Sequence, residues 1–287
     1  MSRLTQRPAV GAFDIFTQLF SADPASQTSS YGPSSTSGTG TLDPNACTYI
    51  GQQFDTSDGR TFVAVQNGTS AIAAGLLVQA PVQNTAFHDL SITVPTAYPA
   101  SVGATQIYVT NGSTKLNLNQ FQQGYVTVIT GTGAGQTFKI GSHQAAAASA
   151  SFVLTLDGGD SIQVALDTTS KVSLNYNNYD GVVVSNHSTV GLPVGVTYGA
   201  LTASTAPTFD TTSGALTKAG VAQYGLIVRH GLTGVLIDTL TEVGYPVGPS
   251  TNTDGAVNVA TLTTSPQIGI SAQTQVSGDY GTVYLTL

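Results

Sequence analysis

Charge is what this sequence has least of. Its 287 residues include 8 Lys or Arg and 15 Asp or Glu, so 8% are charged against about 25% in ordinary soluble domains. Glu242 is the one glutamate. A chain like this cannot stay soluble behind a densely charged surface, and it suits a protein that buries much of its surface in an assembly. The eight basic residues are scattered, which excludes nucleic-acid binding by phosphate neutralisation. Cys47 is alone, which excludes an intrachain disulfide and a Cys-based zinc site within one chain. Tryptophan is absent. No apolar run approaches the ~20 residues of a membrane-spanning helix. Arg3 and Arg7 precede no unbroken apolar stretch, so no secretory signal is expected. The sequons at Asn67, Asn111 and Asn186 then carry little weight.

What is present points to strands. Strong helix formers are few, whereas Val, Ile, Thr, Tyr and Phe are common. From residue 46 onward, turn signals recur at roughly the 8–12-residue spacing of sandwiches and barrels. Asp58-Gly59, Asn67-Gly68 and Asn111-Gly112 fit hairpin turns of type I′, because both turn residues tolerate positive φ. Asp157-Gly158-Gly159-Asp160 reads as another turn. The Ala run in "SHQAAAASAS" (142–151) fits a short helix or a loop equally. Two signatures recur. "LPVGV" (192–196) and "SPQIGI" (265–270) share Pro-x-apolar-Gly-apolar, and "AQYGLIVRHG" (222–231) and "GDYGTVYLTL" (278–287) share Tyr-Gly before an alternating strand.

Residues 9–20, "AVGAFDIFTQLF", place Val10, Phe13, Phe16, Leu19 and Phe20 at helical spacings, as a short amphipathic helix or a sticky extended arm. Residues 21–45 are rich in Ser, Thr, Gly and Pro and read as a tether. The expected organisation is an all-β chain with a flexible N-terminal arm (1–45), a barrel- or sandwich-like body (46–89 and 179–287) and a small β module (90–178) inserted into it. Phe13, Phe16, Leu19 and Phe20 are the residues expected to contact a partner, since apolar and aromatic side chains dominate interface hot spots.

Motifs for chemistry are weak. "TGTGAGQTFKI" (130–140) has glycines two apart, but a dinucleotide loop needs a helix after the glycines, and here a strand pattern follows. The expectation is a Gly-rich hairpin loop. His88, His143, His187 and His230 lie far apart in sequence, so no local metal cluster forms, and His143 and His187 fall in polar, loop-like stretches where solvent is expected. Asp157 and Asp160, like Asp55 and Asp58, are turn residues rather than an acid–base pair. No Gly-x-Ser-x-Gly elbow is present. No catalysis, cofactor or metal is expected.

The stretches "AQYGLIVRHGLTGVLIDTLTEVGYPVGPSTNTDGAV" (222–257) and "SPQIGISAQTQVSGDYGTVYLTL" (265–287) resemble head decoration, or cement, proteins of tailed bacteriophages. "DGRTFVAVQNGTSAIAAGLLVQAP" (58–81) is similar to their opening hairpin, and residues 102–143 are similar to a middle module of phage structural proteins. The resemblance implies an all-β protein, often trimeric, on the outer capsid surface, made in the host cytoplasm. Its partner would be the major capsid protein, whose neighbouring subunits it would clamp together, with neither nucleic acid nor membrane involved. Two rivals remain. A fibre or spike binding host glycan would need an exposed aromatic platform, for which Tyr176 and Tyr179 of "NYNNYD" are candidates, and a depolymerase would need clustered buried carboxylates.

Overall fold

The computed structural model describes residues 50–188, 191–239, 242–260 and 266–287. The fold is all-β; among the described residues the helical element is a single 3-10 turn at Thr85–Phe87. In chain order, strands β1 (Gln53–Asp55), β2 (Thr61–Asn67) and β3 (Leu77–Gln79) open the first of two compact units. Next come β4 (Leu90–Ile92), β5 (Gln106–Thr110), β6 (Tyr125–Thr130), β7 (Thr137–His143), β8 (Ser151–Leu156) and β9 (Lys171–Asn175), all in the second unit. β10 (Asp180–Val184) and β11 (Pro193–Thr197) return to the first. The hairpin β12 (Thr208–Phe209) and β13 (Leu216–Lys218) belongs to the second. β14 (Tyr224–Leu236), β15 (Pro246–Pro249), β16 (Val257–Val259), β17 (Gly269–Ser271) and β18 (Tyr280–Thr286) complete the first.

The second unit thus comprises residues 82–177 and 207–220, where the sequence suggested 90–178. The later stretch joins it because Lys115 Nζ donates to the Asp210 carbonyl at 2.8 Å and the Leu118 N–H donates to Gly214 at 3.0 Å. Nothing in the composition of 207–220 announces those bonds.

The second unit is a closed antiparallel barrel in the order β4-β5-β8-β7-β6-β9. Ile107 and Val109, Val126 and Val128, and Val172 and Leu174 point inward from their strands, as period-two alternation requires. Phe87, Phe121 and Phe152 fill the core, with Phe87 edge-on to Phe121 at 5.0 Å. The Gly-rich segment is the β6–β7 hairpin loop, with φ of 80°, 77° and 94° at Gly131, Gly133 and Gly135. A Cβ on Gly131 would lie 2.2 Å from the Thr169 carbonyl oxygen, so only glycine fits there.

The Ala run forms no helix. β7 ends at His143, Ala146 bridges to Leu116, and β8 starts at Ser151. Barrel pairing overrides helix propensity here, because unpaired barrel edges would be left otherwise.

His143 is buried rather than solvated, and a β-bulge is the reason. The β7–β8 register shifts between Ile140 and Ser142, so the inward set runs Phe138, Ile140, His143. The ring Nε2 accepts the Phe121 N–H at 2.9 Å, which leaves the proton on Nδ1 to donate to the Gln144 carbonyl at 2.9 Å. Burial holds its pKa down at about 4.

In the first unit, five strands close a ring: β2 pairs with β10 in parallel, and β10–β3, β3–β11, β11–β14 and β14–β2 pair antiparallel. The far half of β14 then carries β18, followed by β17, β15 and β16. β2 is buried on both faces: Phe62 and Ala64 enter one apolar cluster, Val63 and Val65 another. That is why "TFVAV" reads as a continuous apolar run.

The recurrent signatures are structurally equivalent. β11 pairs with β14 as Val196↔Val228, and β17 pairs with β18 as Ile270↔Tyr284. In each case the residue after the glycine faces the fourth residue beyond the Tyr of Tyr-Gly. Cβ atoms on Gly195 and Gly269 would meet the carbonyl oxygens of Val228 and Tyr284 at 2.7 and 2.3 Å, the same close approach twice.

The Asn-Gly pairs at 67–68 and 111–112 are not type I′ turns. Neither Gly68 nor Gly112 has positive φ, and both Asn side chains are buried. Asn67 Nδ2 donates to the carbonyls of Ser70 (2.9 Å) and Thr202 (2.7 Å), and Asn111 Nδ2 to those of Thr114 (2.7 Å) and Ala147 (3.1 Å). Five residues after each Asn, a bridge forms: Ile72↔Leu201 and Leu116↔Ala146. One device, used in both units, lets an uncharged amide replace missing backbone ladder bonds. Asp58-Gly59 does lie in the β1–β2 turn, but not as type I′: Gly59 has φ 82°, Asp58 has no positive φ, and the Gly59 N–H donates to Thr56 at 3.1 Å.

Because folding keeps His143 neutral, its contribution is fully present above about pH 6.5 and is lost as pH falls toward about 4. The melting temperature of the second unit is expected to fall over that window. His143→Leu removes this pH dependence and costs about 1–3 kcal/mol at neutral pH through the orphaned Phe121 N–H.

Candidate functional site

Of the sequence-selected residues, Phe13, Phe16, Leu19 and Phe20 lie outside the described residues. The others are accounted for as structure. Tyr176 stacks on Phe121 at 4.4 Å and its hydroxyl accepts from Gln120 at 2.8 Å, so it is packed against the barrel core. Tyr179 packs against an apolar cluster of the first unit and lies against Gly51. Neither offers an open ring, so "NYNNYD" is not a sugar platform. The reason is that short strand ends need large apolar side chains to close their cores.

The carboxylates mostly close loops. Asp167, beside the Gly-rich loop, accepts from the Thr132 hydroxyl at 2.6 Å and from the Thr169 N–H at 2.8 Å. These bonds, Thr132 first, hold its pKa near 2. An ionised carboxylate bonded to the loop repels phosphate, which agrees with the missing helix. Asp238 accepts from Thr253, Asn252 and Ser250, and those bonds lower its pKa. Asp58 grips Arg60 at 2.7 Å, and that guanidinium lies 5.1 Å from the Phe62 ring centre. Asp160 accepts from the Lys139 N–H at 2.6 Å, while Asp157 faces Lys139 Nζ at 3.4 Å. Among the described residues, no cluster of three metal-ligating side chains occurs.

One grouping has the outline of a catalytic triad. His187 Nδ1 lies 2.8 Å from Asp254 Oδ1, and its Nε2 lies 3.1 Å from Ser188 Oγ. His187 is thus exposed as expected, but it is fixed by Asp254. The same carboxylate oxygen accepts the His187 backbone N–H at 2.8 Å, the largest cause of its lowered pKa. The Ser188 N–H, a natural oxyanion donor, is already bonded to Asn186 Oδ1 at 2.8 Å. The grouping ties two surface turns together.

The feature that sequence reasoning missed is the outer face of the sheet built on β14. Registers Leu232↔Tyr284, Ile270↔Tyr284 and Pro246↔Ile270 align one row across four strands. Leu232 is 50% exposed, Tyr284 42% and Ile270 41%, with no Asp, Glu, Lys or Arg in the row. His230 stands edge-on to Tyr284 at 5.3 Å. The signal was present in "YGTVYLT": Val283 and Leu285 are the buried positions, so Tyr280 and Tyr284 must stand on the other face. Beside the row is an open groove of about 550 Å³, with Tyr198, Leu232 and Tyr280 on its walls and Gly75 and Gly234 beneath.

Among the described residues, Asp180 is the titratable group whose pKa is raised. Burial in β10 pushes it up to about 6. Its folded-state pKa lies above the unfolded value, so its contribution is most favourable below about pH 3.8 and is lost as pH rises through about 6. Asp180→Asn should stabilise the first unit at pH 7 by on the order of 1–2 kcal/mol, read by denaturant unfolding, and have little effect at pH 4.

Comparison with protein-family models, with curated protein sequences and with solved structures returned no match.

Proposed function

We propose that this chain is a non-enzymatic structural protein of a bacteriophage virion. It binds the outer capsid surface, as a homotrimer, and stabilises the head by joining neighbouring capsid subunits. The observation that carries this reading is the uncharged Leu232–Tyr284–Ile270 row on an open sheet face. Apolar and aromatic area without charge can be desolvated at little electrostatic cost, which a docking surface needs. The low charge of the whole chain and the loop-closing use of its carboxylates support the same reading. So does the resemblance of residues 222–257 and 265–287 to decoration proteins. Trimerisation raises avidity, because the second and third contacts form at high effective concentration.

A fibre-type protein that binds glycan is the second reading. The half-exposed rings of Tyr198 and Tyr280 along the groove favour it. Tyrosine rings, apolar in body and polar at the tip, suit sugar rings.

The test is electron cryomicroscopy of particles carrying the chain, together with capsid binding by the purified protein. Density at capsid junctions is expected. Leu232→Asp combined with Tyr284→Ser should lower capsid occupancy at least ~10-fold while the chain stays folded, since both side chains are surface-exposed. Density at the tail tip, with specific binding on a glycan array, would replace this reading by the second.

A further inference from the structure

The groove beside β14 contains an unpaired stretch of strand edge. The Leu287 N–H donates to Arg229 at 3.3 Å and the Ile237 N–H to Asp279 at 2.9 Å. By antiparallel alternation, Gly231, Thr233 and Val235 carry the ladder to β18. The N–H and C=O groups of Leu232 and Gly234 therefore point to the opposite side. The bulge at Arg229 reverses the alternation of β14, so this is the β2 side, where His230 pairs with Thr61 and the Leu236 N–H donates to Gly75 at 2.9 Å. Between these two pairings, Leu232 and Gly234 have no backbone partner among the described residues. The edge is short, and it opens onto the groove.

Gly234 adds a second observation. Its φ is not positive, and a Cβ there would meet nothing within 4 Å. Neither backbone strain nor crowding within the described residues accounts for a glycine in this strand. Glycine inside a strand often marks the close approach of another backbone. Tyr198 and Tyr280, 43% and 54% exposed, flank the place that a backbone would occupy.

We propose that this edge seats residues 9–20 of the same chain as an added strand, hydrogen-bonded to Leu232 and Gly234 in the groove between Tyr198 and Tyr280. Pairing of this kind takes affinity from main-chain bonds and selectivity from side-chain pockets. The segment suits the groove in chemistry: Phe13, Phe16, Leu19 and Phe20 are apolar, matching the Tyr198, Leu232 and Tyr280 walls. It also suits the groove in reach. Gly51 is tied to Ala64 of β2 at 2.8 Å, and Arg60 on the groove wall lies four residues earlier, about 13 Å along a strand. Residues 21–49 can span up to about 100 Å. A tethered segment meets its own groove at millimolar effective concentration, which favours the same chain over a second copy. The seating concerns the free protein and holds whether or not its partner is a capsid.

Amide hydrogen exchange of the full-length chain, resolved by residue, tests this. Leu232 and Gly234 amides are expected to exchange at least ~100-fold more slowly than unpaired amides. Two variants should remove that protection while Thr233 and Val235 stay protected. One carries Phe13→Asp, Phe16→Asp, Leu19→Asp and Phe20→Asp. The other is Gly234→Leu, whose side chain enters open space and so leaves the fold intact. Fast exchange at both amides in the unmodified chain overturns the proposal, as does protection that survives the four Asp substitutions. Protection that rises with protein concentration alongside a dimer in light scattering also overturns it, by assigning the groove to a second copy.

Discussion

Strand β14 is the element on which the first unit depends. Its first half closes the five-strand ring against β2 and β11, and its second half carries β18 and, through it, β17, β15 and β16. The change of partner happens at a bulge between Val228 and His230, followed by Gly231 at φ 94°. A Cβ on Gly231 would sit 3.0 Å from both Arg60 Cα and the Gly59 carbonyl oxygen, so no larger residue fits that crossing without displacing backbone. The buried residues of both halves, Leu226 and Val228 with Val235, share one apolar cluster. Ring and extension therefore bury their apolar surface together, and the strand gives the first unit a continuous core.

A chain with few charges must satisfy its loops by other means, and it does so with short uncharged side chains. Asn67 and Asn111 cap equivalent crossings in the two units, and Thr197 Oγ1 donates to the Ala73 carbonyl at 2.7 Å. His143 does similar work inside the barrel by staying neutral. Asp167, Asp210 and Asp238 are surrounded by hydroxyl and amide donors and act as acceptors for fixed turns. This use of polar groups leaves the outer sheet face free of charge. That freedom connects the composition to the proposed role, because desolvating such a face meets little opposition from ion hydration.

Much of the architecture was legible in the sequence. Alternation in "YVTVIT", "TFKIG" and "YGTVYLTL" marked real strands, and the Gly-rich loop between the first two was recognisable because no helix pattern followed it. The recurrent Pro-x-apolar-Gly-apolar and Tyr-Gly stretches proved to occupy equivalent paired positions. Misreadings share one cause. His143, Asn67 and Asn111 are polar residues whose partners lie far away in the chain or across a bulge, and local pattern says nothing of either. Tyr176 and Tyr179 misled in the opposite sense, since polar neighbours in "NYNNYD" suggested exposure.

The sequence by itself determined an all-β chain, the turn at Asp58-Gly59, the hairpin at the Gly-rich loop and the repeated strand pairs. Those features depend on side-chain period and on which residues tolerate positive φ, both of which are local. Only the tertiary structure decided that residues 207–220 join the second unit, that His143 points inward, and that Leu232, Tyr284 and Ile270 align in one exposed row. Each of those depends on strand register between distant segments, and a shift of one residue reverses the face every side chain occupies.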